Sequence, residues 1–347
     1  ALYLFLLQKR EENELSQAFT AYNTRIVAPP HGSMLPMSPV RKNILMVACA
    51  LGLLIPVVII FICENMNTRV RGRKDLESVT VPFIGEIPLF TRKKKGIFRK
   101  KPQEVRAIVV KEGSRDIINE AFRVLRTNLE FMTGKDKASN VIIVTSFNPG
   151  SGKSFLTMNI AVSFAIKGKK VLVIDGDLRH GSASSYIDSP TKGLSDYLGG
   201  RIDNLNEIIV TNPKQKYLDI LPVGTIPPNP TELLFDDRLK QVIDTVREQY
   251  EYVLIDCPPI ELVADTQIIE KLADRTIFVV RAGLLELSML AELEKIYGEK
   301  KYKNMSLILN GTEGSGGRYG YRYGYRYGYH YGYGSEYHYG SDEKYIE

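Results

Sequence analysis

The 347-residue chain has no tryptophan, three cysteines and four histidines. Cys49, Cys63 and Cys257 are too few and too scattered for a disulfide framework, and none has metal-ligand spacing. His31, His180, His330 and His338 are equally dispersed and form no metal cluster. The formal charge of +6 is too small to argue for nucleic acid as a partner. The chain also lacks an initiating Met and the positively charged start of a signal peptide. It opens inside a helical pattern, ALYLFLLQKREENELSQAFTAY, which reads as part of a longer protein.

Charge is missing altogether from Ile44 to Cys63, a run of twenty residues. At about 1.5 Å per residue it spans roughly 30 Å, the thickness of a bilayer core. Pro29, Pro30, Pro36 and Pro39 precede it as an extended connector. Arg41 and Lys42 stand before the run, whereas Arg69, Arg71, Arg73, Lys74 and then Arg92 to Lys101 follow it. That asymmetry predicts a transmembrane helix with its C-terminal side in the cytoplasm and a basic stretch against membrane lipids.

Beyond about Glu104, short apolar runs alternate with helical segments. Val141–Val144, Val171–Ile174, Tyr252–Ile255, Ile277–Val280 and Leu307–Leu309 read as strands buried on both faces. The pattern predicts a doubly wound α/β domain with a mostly parallel sheet. The expected organisation is a helix and Pro-rich connector over 1–40, which the resemblance given below makes the end of a periplasmic module, a membrane helix over 41–66 and a basic linker over 67–103. The α/β domain follows over 104–311 and a tyrosine-rich tail over 312–347.

Three motifs carry chemistry. Ser146-Phe-Asn-Pro-Gly-Ser-Gly-Lys-Ser154 lies between a predicted strand and helix, as a phosphate-binding P-loop requires. Its glycines let backbone N–H groups converge on phosphate oxygens at a helix N-terminus. Pro149, Gly150, Ser151, Gly152, Lys153, Ser154 and Phe155 are the expected nucleotide-binding residues, with Ser154 also a Mg²⁺ ligand. Phe147 departs from the usual opening glycine. The second motif, Val171 to Arg179, ends a strand in Asp175 and Asp177, suited to hold a metal and accept a proton from a hydroxyl. In the third, Tyr252-Val-Leu-Ile-Asp256 places a carboxylate after another strand, where it completes a Mg²⁺ shell. A fourth feature, Glu120, Arg123 and Arg126 at intervals of three, puts three charges on one helix face.

Tyrosine is the excess. Of twenty, eleven fall after residue 318: Tyr319, Tyr321, Tyr323, Tyr325, Tyr327, Tyr329, Tyr331, Tyr333, Tyr337, Tyr339 and Tyr345. They alternate largely with glycine and arginine and carry no aliphatic core.

The loops NPGSGKS, VLVIDGDLR and YVLIDCPP, with the tyrosine cluster, resemble the bacterial tyrosine kinase family in its membrane-integral form, fused to a polysaccharide co-polymerase module. The resemblance implies an ATP- and Mg²⁺-dependent autokinase, with Lys153, Asp175 and Asp177 in catalysis and Ser154, Asp177 and Asp256 at the metal. It implies that Glu120, Arg123 and Arg126 pack against a neighbouring subunit in a ring, and that the tail tyrosines accept phosphate in trans. Expected partners are further copies, membrane lipids, polysaccharide export machinery and a protein-tyrosine phosphatase. The expected location is the inner membrane, with the N-terminal segment periplasmic. No H-R-D or D-F-G motif of eukaryotic-type kinases is present. An ATPase of the ParA/MinD type would share the fold, but typically carries a second lysine where Asn148 and Pro149 stand. A third reading is a chain-length regulator whose nucleotide domain only scaffolds.

Overall fold

The computed structural model describes residues 2–19, 32, 40–65, 67–90, 107–134, 140–212, 215–260 and 264–313. The chain divides into two units, Ala1–Asn67 and Thr68–Glu347. In the first, α1 (Leu2–Phe19) is exposed along its length, and α2 (Arg41–Asn65) contains the apolar run. Arg41–Ile62 is strongly apolar, and its most apolar stretch is not buried within the protein. A helix this apolar has no core to enter here, and it is long enough to cross a bilayer.

The second unit is an eight-stranded sheet in the order β1-β8-β7-β2-β6-β3-β5-β4. The strands are β1 (Phe83–Pro88), β2 (Val141–Thr145), β3 (Val171–Asp175), β4 (Val210–Thr211), β5 (Leu218–Leu221), β6 (Tyr252–Asp256), β7 (Arg275–Arg281) and β8 (Met305–Thr312). All pairings are parallel except β4 with β5. Alternate residues of each strand point to opposite faces. Val141 and Ile143 therefore enter one core layer, and Ile142 and Val144 the other.

On one face lie α3 (Ile117–Thr133) and α4 (Lys153–Ile166). α3 begins at an Asp116 cap, which accepts the Asn119 N–H at 2.8 Å, and buries Ile118, Phe122, Leu125 and Leu129 along one stripe. On the other face lie α5 (Leu194–Leu198), α6 (Pro230–Leu234), α7 (Asp237–Gln249), α8 (Asp265–Glu270) and α9 (Met289–Gly298). Helices on both faces explain why the central strands are apolar throughout.

The expected linker over 67–103 needs correction at its start. Residues 68–90 belong to the sheet unit: Val70 is fully buried, Arg73–Leu76 forms a short 3-10 turn, and β1 pairs with β8 as the edge strand. Gly85, Glu86 and Pro88 interrupt the apolar pattern of β1, as suits a strand paired on one side only. The rest of the linker, residues 91–103, lies outside the described residues.

Candidate nucleotide and metal site

β2, β6 and β3 lie side by side, and their C-terminal ends bring the three motifs together. In register, Val144 stands opposite Asp256, and Asp256 opposite Asp175. Neighbouring strands are about 4.8 Å apart, so the two carboxylates share one site beside the loop that leaves β2.

That loop is held by its own side chains. The hydroxyls of Ser146 and Ser151 both donate to the Asn148 carbonyl at 2.8 Å. Lys153 Nζ donates to the Ser146 hydroxyl at 3.4 Å and is nine-tenths buried, at the first residue of α4. Gly152 sits at φ +88, and a Cβ there would collide with Nδ2 of Asn310. The same Nδ2 donates to the Ser151 carbonyl at 2.8 Å, while Arg281 Nη1 donates to that of Gly150. The loop is thus pinned from β7 and β8, two contacts no local motif announces. Phe147, the departure from the usual glycine, is 3% exposed and packs edge-on against Phe278 with ring centroids 4.9 Å apart. It anchors the loop's base in the core. Phe155, counted with the nucleotide residues, turns its ring to Phe122, with centroids 6.1 Å apart.

Asp175 is fully buried. Its Oδ2 accepts both the N–H and the hydroxyl of Ser184 at 2.6 Å, and its Oδ1 has no partner. Ser184 was not legible in the motif, because it arrives nine residues later on a 3-10 turn. Asp177 is 6% exposed and accepts the Arg179 and His180 N–H groups at 3.2 Å. Gly176 between them donates to the Asp256 carbonyl at 2.9 Å. A Cβ there would press on Ile255, that carbonyl and Ile269, so the packing favours glycine between the two aspartates.

Neither oxygen of buried Asp256 has a hydrogen-bond partner at good geometry. Burial, and next the Asp175 charge, push this carboxyl well above the usual range; Ser154 and Lys153 pull it down. Burial also raises Asp175, against the bonds from Ser184. Desolvated like charges with orphaned oxygens suit a cation. Among the described residues no group of three or more His, Cys, Asp or Glu side chains could hold an ion unaided. The donor set therefore fits Mg²⁺, which takes few carboxylates and completes its shell with phosphate oxygens and water. Asp177, Asp256 and Ser154 would hold it, and the loop would hold the triphosphate. Burial pushes the adjacent Cys257 thiol well up, which favours its neutral form.

Glu120, Arg123 and Arg126 divide their roles. Glu120 and Arg123 pair with each other, half exposed. Arg126 turns inward instead, and Nη1 donates to the Ser163 carbonyl on α4 at 2.7 Å. The eleven tail tyrosines lie outside the described residues.

Residues 139–307 match a family model described as an AAA domain. Tyrosine-protein kinase etk of Escherichia coli K12 is 31% identical over 296 residues, which cover 82% of this chain and 40% of etk. Tyrosine-protein kinase wzc of Salmonella typhimurium is 30% identical over 321 residues, 89% of this chain and 43% of wzc. Among solved structures, the kinase domain of E. coli ETK aligns over its whole length and 76% of this chain, at 29% identity and a TM-score of 0.62. The BceF tyrosine kinase domain aligns over 99% of its length and 70% of this chain, at 30% identity and a TM-score of 0.59. The chain belongs to the bacterial tyrosine kinase family. It spans about two fifths of the length of the curated kinases it matches. The motifs read from the sequence lie at the C-terminal ends of β2, β6 and β3, and the fold adds Ser184, Arg281 and Asn310 to them.

Proposed function

We propose that this chain is the catalytic and acceptor-bearing part of a membrane-anchored protein-tyrosine autokinase. The observation that carries the reading is the pair of buried carboxylates beside the P-loop, Asp256 with both oxygens and Asp175 with one oxygen left without a hydrogen-bond partner. Lys153 would neutralise phosphate charge, Ser154, Asp177 and Asp256 would hold Mg²⁺, and bound Mg²⁺ would offset charge developing on the phosphoryl group. Asp175 is our first choice to accept the proton of an attacking tyrosine hydroxyl; its raised affinity for protons suits that work. The acceptors are the tail tyrosines Tyr319 to Tyr345. They would accept phosphate in trans, from a neighbouring copy. Phosphates of about −1.5 to −2 charge each would make adjacent tails repel and loosen the ring.

In this reading α2 crosses the inner membrane with the kinase unit and tail cytoplasmic, as the basic excess after it implies. Exposed Glu120 and Arg123 supply a contact between copies in a ring, and the assembly serves capsule or exopolysaccharide export, opposed by a phosphatase. The test is to incubate the full chain in detergent micelles with Mg·ATP and map phosphate by mass spectrometry, with Lys153→Met as control. Phosphate on tail tyrosines, absent from the control, is expected. Phosphate released to water with an unmodified tail would overturn the kinase reading in favour of an ATPase, and no turnover would favour a scaffold.

A further inference from the structure

Asp265, the first residue of α8, belongs to none of the three motifs, yet it is 1% exposed and fully engaged. Its Oδ2 accepts Arg179 Nε at 3.0 Å and its Oδ1 accepts the Thr231 hydroxyl at 2.7 Å. Arg179 Nη2 closes the triangle by donating to the Thr231 oxygen at 3.0 Å. The three residues come from three separate segments: the turn after β3, the start of α6, and the start of α8. All three segments follow strands whose C-terminal ends face the nucleotide site.

Arg179 is gripped twice. Its side chain is held by Asp265 and Thr231, and its own N–H donates to Asp177 Oδ1 at 3.2 Å. The other end of the brace is equally fixed. Thr266, next to Asp265, donates to the Pro258 carbonyl at 2.9 Å, and Thr145 at the end of β2 donates to the same carbonyl at 2.9 Å. A continuous path therefore runs from the P-loop strand through Pro258, Thr266 and Asp265 to Arg179 and on to Asp177. A buried carboxylate held only for stability is a poor device, since apolar residues of similar volume do as well. A charged anchor engaged through both carboxylate oxygens, one by Arg179 and one by Thr231, fixes direction, which is what a metal-holding turn needs.

We propose that Asp265 is a positioning residue for the nucleotide site: through Arg179 it fixes the turn that aims Asp177 at Mg²⁺. The proposal rests on Asp177 being a metal ligand, as read above. It does not require that the phosphate go to tyrosine, so the test reads nucleotide binding and not tail phosphorylation.

The test uses the full chain in detergent micelles and a fluorescent ADP analogue, titrated with Mg²⁺, for wild type, Asp265→Asn, Arg179→Gln and the double variant. Each single change is expected to weaken the apparent Mg²⁺ affinity about tenfold, within the range for residues that orient ligands. Affinity for the analogue without Mg²⁺ is expected to stay within about twofold, because the P-loop is untouched. The double variant is expected to be no worse than the weaker single, since both break one path. Additive losses, an unchanged Mg²⁺ affinity, or an equal loss without Mg²⁺ would overturn the proposal. If either charge variant does not fold, Thr231→Val decides: it keeps the ion pair and removes the hydroxyl brace. A smaller loss of Mg²⁺ affinity supports the proposal and an unchanged value refutes it.

Discussion

Asp175 and Asp256 stand opposite one another in register on adjacent parallel strands, both buried, and three of their four carboxylate oxygens have no hydrogen-bond partner. Two like charges in that setting oppose folding and invite a divalent cation.

The pH dependence of stability follows. In the unfolded chain Asp256 ionises near pH 4. In the folded chain burial keeps its proton on to higher pH. The folded state then binds more protons than the unfolded state over that interval. Its stability advantage is complete below about pH 4 and is lost as pH rises through the raised value. With EDTA present, the melting temperature is expected to fall between about pH 4 and about pH 8. Asp256→Asn should melt higher at the alkaline end with a shallower slope, while losing Mg²⁺-dependent turnover. Identical slopes would show that the pair is not strained.

Gly152→Ala should abolish nucleotide binding, measured by fluorescent-ADP titration. A left-handed backbone costs an alanine roughly 1–2 kcal/mol, and its Cβ would displace Asn310. Adding Asn310→Ala should recover part of the lost thermal stability; no recovery would mean that the strain, and not the collision, sets the penalty.

Phe147→Ala should destabilise the domain by about 3–5 kcal/mol in urea unfolding, the usual cost of emptying a buried aromatic site. The ring fills space against Phe278 that a glycine at this position leaves open. A loss below about 1 kcal/mol would mean the loop collapses into the gap.

Arg126→Ala should lower stability by about 1–3 kcal/mol in dilute, unassembled protein, because it leaves the buried side of Ser163 without its donor. Arg123→Ala should leave that stability nearly unchanged, since its pair with Glu120 is half exposed. Analytical ultracentrifugation should then show Arg123→Ala changing assembly more than folding. The reverse pattern would transfer the two roles.

A version of the domain begun at residue 104 should aggregate, whereas one begun at Thr68 should stay soluble, as judged by size-exclusion chromatography. The first lacks β1, whose backbone pairs with β8 from Phe83 to Pro88. An unpaired parallel edge is a template for association.

The central strands were legible because burial on both faces leaves an uninterrupted apolar signature, as in Val141–Val144 and Tyr252–Ile255. β1 was not, since Phe-Ile-Gly-Glu-Ile-Pro mixes apolar, acidic and turn-forming residues as an edge strand does. β5 was also missed: Leu218–Leu221 is only four residues long and contains Asp219. At the site, Lys153, Ser154, Asp175, Asp177 and Asp256 follow from local spacing, because a P-loop and strand-end carboxylates are contiguous in the chain. Ser184, Thr231, Asp265, Arg281 and Asn310 act from 9 to 159 residues away from their partners, and only the folded topology brings them in. Arg126 shows the opposite limit: helical spacing gave its neighbours, but not which way its long side chain turns.

β8 is parallel to β2, so the chain leaves the sheet for its tyrosine repeats at the same edge from which the P-loop springs, and Asn310 already touches Ser151. On the reading proposed here, donor and acceptor are leashed to one rim. A covalent leash substitutes local concentration for tight recognition. The acceptor then needs only to be plentiful within reach, and a monotonous run of Tyr and Gly meets that need better than one well-fitted sequence. A free peptide of the same repeat, deprived of its leash, should be a poor substrate.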